Sequence, residues 1–241
     1  SNLTPTPAGP HCTADRVPYP CPPDCGSCNH CGWTSCGDDL GFVDDVITEL
    51  SQRADIDEER IYLFGNSNGA TMAQRYACGN SSRVAAVVLS ISQMPPGYTC
   101  GPANALPMFH YYAGRDDGVG HDGTATSDGW IFSSAADNTR VWAEHAGCSN
   151  PSQLWQSDLT DQFGWECSAY RNCGSENVDV VSCKDPDQHH ELGEQRIPWI
   201  PANCVTASQA GSLPGQPLCP DSGSVRPQSA MDVFWQFISQ Y

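Results

Sequence analysis

Residues 65–69 read Gly-Asn-Ser-Asn-Gly, a G-x-S-x-G pattern centred on Ser67. It follows the apolar run Ile61-Tyr62-Leu63-Phe64, which reads as a strand, and precedes 70–78, which reads as a helix. In that setting the serine sits on a sharp strand-to-helix turn, its hydroxyl raised above the sheet edge where it can act as a nucleophile. Gly65 and Gly69 are expected to leave room for the turn and for close approach of helix to strand. The N–H of Asn68, at the positive end of the helix, is suited to an oxyanion. A nucleophilic serine needs a base, and the base needs a carboxylate to fix its tautomer. On this type of sheet the chain order is Ser, then Asp or Glu, then His. Asp116 and Asp117 follow the apolar run 106–114, and His189 and His190 follow 178–183. The residues alone leave open which Asp and which His. Solvated loop charges and a surface His tract are the plain alternative, but they do not explain why all three groups fall in order after apolar runs.

The elements that must hold these groups are legible as hydrophobic patterns. Residues 40–54, LGFVDDVITELSQRA, set Phe42, Val43, Val46, Ile47 and Leu50 on one helical face. After the polar connection 55–60 come the strand 61–64 and helix 70–78, a strand over 83–92 and another over 106–114. A helix over 136–147, a strand over 178–183 and a terminal helix over 229–241 follow. Helices alternating with nearly continuous apolar strands predict an α/β fold, a mostly parallel sheet covered on both faces. Residues 1–39 form a Cys/Pro-rich N-terminal segment ahead of a catalytic domain over 40–241. Two stretches interrupt the alternation: the polar loop 115–135 and a Pro-rich loop insertion at 191–227, which a bridge involving Cys204 and Cys219 would tie down. Trp142 and Trp235 fall on predicted helices and read as core. Trp130, Trp155, Trp165 and Trp199 fall in loops, where core packing and a cleft for an aromatic or sugar group are both open.

Fourteen cysteines are spread over the 241 residues. The even count fits seven disulfides formed in an oxidising compartment. The sequons at Asn2 and Asn80 agree with a secreted, glycosylated protein. The chain opens with polar SNLTPTPAG, so a leader is expected to have been removed. Within CPPDCGSCNHCGWTSC, Cys25, Cys28 and Cys31 with His30 have a spacing that zinc or an iron–sulfur cluster would accept. In an oxidising compartment a disulfide knot is the expected use, and paired thiolates ligate no metal. Asp116, Asp117, Asp122 and Asp128 match no EF-hand spacing and read as loop charges apart from the candidate acid. A formal charge of −17 repels polyanions, which excludes nucleic acid and anionic membranes as partners. The longest apolar run, Val84–Leu89, is far too short to cross a bilayer.

The stretch IYLFGNSNGATMAQRYACGNSSRVAAVVLSIS resembles the nucleophile region of secreted polyhydroxybutyrate depolymerase-like and feruloyl esterase-like α/β-hydrolases. The resemblance extends to GW…DDLGFVDDVITEL upstream and to LPMFHYYAGRDDGV, WAEHAGC, VDVVSCKDPDQHH and SAMDVFWQFI downstream. It covers about residues 32–190 and 229–241. Laid on this chain, the family's HGTxDxxV motif puts its acid at Asp116, with Val119 three residues on. Its Gly-Gly-His segment selects His190, with His189 as the alternative base. The chain departs from both patterns: Tyr112-Ala113 replaces His-Gly, and Gln188-His189-His190 holds no glycine.

What the resemblance implies is a secreted serine carboxylic-ester hydrolase needing no cofactor. Ser67 would attack, His190 would shuttle the proton, Asp116 would orient the imidazole and the Asn68 N–H would give one half of the oxyanion hole. The substrate would be a feruloyl or acetyl ester on polysaccharide, or a polyester such as polyhydroxybutyrate. Two rivals come from other classes: a catalytically silent secreted glycoprotein on a hydrolase scaffold, and a metal-binding Cys-rich module appended to one. The sheet read from the sequence has four strands, about half of what the resembled fold carries. The best earlier candidate, Arg16-Val17-Pro18-Tyr19, is interrupted by proline. The expectation is that an upstream segment or a companion chain completes the sheet and carries the His-Gly loop.

Overall fold

A computed structural model describes residues 38–95, 99–124, 126, 132–149, 152–174, 178–190 and 230–241. Helix α1 (Asp39–Arg53) begins where the Asp38 carboxylate accepts the Gly41 N–H. Strand β1 (Tyr62–Asn66) runs directly into α2 (Asn68–Gly79). The fully buried β2 (Ala86–Ser90) and the nearly buried β3 (Met108–Ala113) follow, and then α3 (Ala135–His145), capped by Ser134. The short β4 (Gln153–Leu154), α4 (Asp158–Phe163) and β5 (Glu166–Cys173) lead to β6 (Val178–Asp185). Helix α5 (Ala230–Ile238) closes the fold.

The strands form one sheet in the order β1-β2-β3-β6-β5-β4. β1, β2, β3 and β6 are parallel, and β5 and β4 continue the sheet antiparallel. One face packs Val88, Phe109, Tyr111 and Val181 against Phe234 and Phe237 of α5. The other packs Val87, Leu89, Met108 and Val180 against Ala70, Tyr76 and Trp142 of α2 and α3. Burying each of the larger side chains contributes about 1.5–3 kcal/mol. Mixed sheet and flanking helices together make an α/β fold.

Three sequence expectations are corrected here. The sheet has six strands among the described residues, not four, because 152–174 forms two strands and a helix. β5 escapes a hydrophobicity reading because its buried positions are Cys167, Ala169 and Cys173, small residues whose pattern is broken by an irregularity between Tyr170 and Cys173. The predicted apolar face of α1 divides: Ile47 is buried, Leu40 and Val43 pack against the core, and Phe42, Val46 and Leu50 form an exposed stripe. Trp235 is 61% exposed, since α5 turns Phe234 and Phe237 inward instead. Trp155 and Trp165 are core residues on the α5 side.

All six described cysteines are bridged, as Cys78–Cys100, Cys148–Cys173 and Cys167–Cys183. No helix among the described residues is long and apolar enough to cross a membrane. Outside the described residues lie Asn2, the cysteines from Cys12 to Cys36, the Arg16–Tyr19 stretch, Asp128, Trp130 and the loop 191–227 with Trp199, Cys204 and Cys219.

Candidate active site

Ser67 occupies the bend between β1 and α2 with φ 53° and ψ −126°, a left-handed backbone that a side chain adopts at a cost of about 1–3 kcal/mol. Two backbone bonds hold it there: the Ser67 N–H donates to the Ser90 carbonyl at 2.8 Å, and the Ala70 N–H donates to the Ser67 carbonyl at 2.8 Å. Gly65 is required by space, because a Cβ there would stand 2.1 Å from the Gly69 carbonyl oxygen. Gly69 is different: a Cβ on it would meet nothing within 4 Å, so it contributes the approaching backbone rather than room of its own. Asn68 is the exposed first residue of α2, and its N–H has no partner within the helix.

Asp116 and His190 arrive from the ends of β3 and β6, at the carboxyl edge of the parallel strands. Ser67 Oγ lies 2.8 Å from His190 Nε2, and His190 Nδ1 lies 2.8 Å from Asp116 Oδ2. The Asp116 side chain is 1% exposed, and its other oxygen accepts the Gly118 and Val119 N–H groups at 2.9 and 2.7 Å. An acceptor-only carboxylate fixes the tautomer: Nδ1–H donates to Asp116, leaving Nε2 to accept from the serine. The hydrogen bond to Asp116 raises the His190 pKa above the ordinary imidazole range, against the opposing effect of partial burial; the Asp116 charge and then Asp117 add to the rise. Asp117 and His189 are both exposed, and neither is hydrogen-bonded into the Ser67–His190–Asp116 chain.

The turns that carry Asp116 and His190 are tied to each other. The Gly114 N–H donates to the Asp185 carbonyl at 2.7 Å, the Arg115 N–H to the Gln188 carbonyl at 2.9 Å, and Arg115 pairs with Asp187. A Cβ on Gly114 would stand 2.8 Å from the Pro186 carbonyl oxygen, so the two turns touch at a residue that must be glycine. Sequence reasoning passed over Asp185, the last residue of β6. Its Oδ2 accepts the Trp165 indole N–H at 3.0 Å and the Tyr111 hydroxyl at 3.2 Å, and its Oδ1 accepts the Asp187 N–H at 3.3 Å. The local signal was Asp-Pro-Asp after a strand, a turn sequence; the tertiary partners left none.

Asp122 bonds Thr124 of its own loop, and among the described residues no three His, Cys, Asp or Glu side chains converge as a metal centre requires. Asn80 is half-buried at the end of α2.

These features define an α/β protein with a continuous Ser–His–Asp hydrogen-bond chain at the carboxyl edge of its parallel strands. No protein-family model matches the chain. Over 171 residues, 67% of its length, it is 27% identical to feruloyl esterase B of Piromyces equi, of which it is a distant homologue. The chain spans about 30% of that relative's length.

Proposed function

We propose that the protein is a secreted serine carboxylic-ester hydrolase of α/β-hydrolase fold that works through an acyl-enzyme. The observation that carries this is the 2.8 Å contact of Ser67 Oγ with an imidazole whose far nitrogen is held by Asp116. Ser67 Oγ attacks the ester carbonyl carbon while its proton passes to His190 Nε2. The Asn68 N–H donates to the oxyanion of the tetrahedral intermediate. Collapse breaks the ester C–O bond, and His190 gives its proton to the departing alcohol. Water, deprotonated by the same nitrogen, then releases the acid and restores Ser67.

The relative's name supports a feruloyl ester on polysaccharide as substrate, ahead of a polyester such as polyhydroxybutyrate. The cysteines and the Asn80 sequon support secretion and glycosylation. The β1 edge supports a further strand, supplied by polypeptide outside the described residues or by a companion chain. β1 pairs only with β2 among those residues, and its own Phe64 is 42% exposed.

The test is hydrolysis of a chromogenic short-chain ester and of methyl ferulate by the purified protein and by Ser67→Ala. Turnover that disappears in the variant supports the proposal. An inert native protein of intact fold would instead make the silent scaffold the better reading.

A further inference from the structure

The base of the site is carried on a turn with no glycine and no regular structure, five residues beyond the end of β6. A 1 Å displacement of such a group costs on the order of a hundredfold in rate, so something must fix the turn. Its covalent root is Asp185, paired with Ala113 across the parallel β3–β6 ladder. The Asp185 backbone carbonyl takes the Gly114 N–H at 2.7 Å, which locks the root of the histidine turn to the root of the acid turn. Its carboxylate faces the α5-side core, where Tyr111 and Trp165 pack at a tilt with ring centroids 4.6 Å apart and both donate to Oδ2. The remaining oxygen reaches forward to the Asp187 N–H, and the Gln188 N–H closes on the Asp185 carbonyl at 3.4 Å. One side chain therefore links a rigid aromatic core to the first bend of the segment that ends at His190.

We infer that Asp185 is a positioning residue: it fixes the turn 186–190 so that His190 meets Ser67 and Asp116 simultaneously. This rests on the reading of Ser67, His190 and Asp116 as the catalytic groups. Asp185 itself touches none of the three in a hydrogen bond; its bonds go to Tyr111, Trp165 and the turn backbone. The Tyr111 hydroxyl is held in its protonated, donating form because burial, reinforced by the Asp185 charge, pushes its pKa up. The same contact cluster accounts for the turn without the glycines of the resembled Gly-Gly-His segment. Anchoring from the core replaces a tight glycine turn.

The test uses the whole protein with Asp185→Ala and, in case that variant folds poorly, Tyr111→Phe, which removes one donor and keeps the ring. The first readout is the downfield proton signal of His190 Nδ1–H bonded to Asp116, assigned by its loss in His190→Ala. It needs no turnover, so it reports on the positioning even if ester hydrolysis fails. The expected result is a signal lost or broadened in Asp185→Ala and weakened in Tyr111→Phe. The second readout is ester kinetics: kcat is expected to fall roughly 10- to 100-fold with KM within about twofold. The acid limb of kcat/KM is expected to move to lower pH as the hydrogen bond that raises the His190 pKa weakens. A folded Asp185→Ala or Tyr111→Phe with the native signal and an unmoved acid limb would overturn the inference. Turnover surviving in Ser67→Ala would instead remove Ser67 as the nucleophile while leaving the proton signal to decide the role of Asp185.

Discussion

β1 and β6 deliver the two halves of the site by opposite means. β6 is paired on both sides, buries Val178, Val180, Val181 and Cys183, and is bridged to β5 through Cys167–Cys183. β1 is paired on one side among the described residues, and its own Phe64 is exposed. Yet Ser67 directly follows β1 and His190 follows β6. The difference lies in what fixes each group. Ser67 is placed locally, by a left-handed residue between two backbone bonds and by a glycine into which the helix backbone presses. His190 is placed from a distance, by ties that run from its turn to β3 and to the aromatic core. A local device tolerates a thinly covered strand; a long-range one needs a well-covered strand beneath it.

The comparison can be broken most directly at the two reacting atoms. Ser67→Ala is expected to lower short-ester hydrolysis at least about a thousandfold with an unchanged thermal transition, because the elbow is backbone-built. His190→Ala should match it and the exposed His189→Ala should be milder, as steady-state assays of the three will show. Asp116→Asn is expected to lower kcat by about a hundredfold to ten-thousandfold, through loss of the tautomer that leaves Nε2 free. Activity in the native protein should fall as pH drops through the raised His190 pKa, giving an acid limb above about pH 6.5. In Asp116→Asn that limb should lie lower, which a pH–rate profile of each protein measures.

Smaller effects should separate the two strands by stability. Replacing Cys167 and Cys183 together with serine, opening a 16-residue separation, should cost about 2–4 kcal/mol in urea unfolding. Also in the covered part, His110 on β3 is fully buried with its pKa pushed down to about 4 by burial. It is neutral in the native state and titrates near 6.5 when unfolded, so the unfolded chain binds the extra proton between those values. Stability should therefore fall as pH drops from about 6.5 to about 4, by about 3 kcal/mol from this group, and His110→Gln should flatten that slope. On the exposed stripe of α1, Phe42→Ser and Leu50→Ser should each change stability by less than about 0.5 kcal/mol. A loss above about 1.5 kcal/mol would show that the stripe is covered in the native protein.

The same contrast explains what could be read from the chain beforehand. β2 is a continuous apolar run because it is buried on both faces, and the parallel strands were legible for that reason. The turn at Ser67 was legible because its cause is local: a strand, two glycines and a helix within a few residues. The choice between His189 and His190 was not legible from the residues alone and came only from the resemblance, since both neighbour the same turn and the tertiary fold decides which ring faces the serine. Asp185 was hidden for the same reason, its indole and phenol donors lying 20 and 74 residues away. The α1 stripe misled because amphipathic spacing reports that a face is apolar, not which neighbour covers it.

The bridges Cys148–Cys173 and Cys167–Cys183 interleave, each closing a loop that contains one cysteine of the other. Four thiols allow three pairings. In an unfolded chain the entropy of ring closure favours the nearest pair, Cys167 with Cys173, over either native partner. The native pairing must then be selected by the β5–β6 ladder, which sets Cys167 directly opposite Cys183. Oxidative folding of this protein in high yield should thus depend on an oxidoreductase that reopens the short ring until the hairpin has formed.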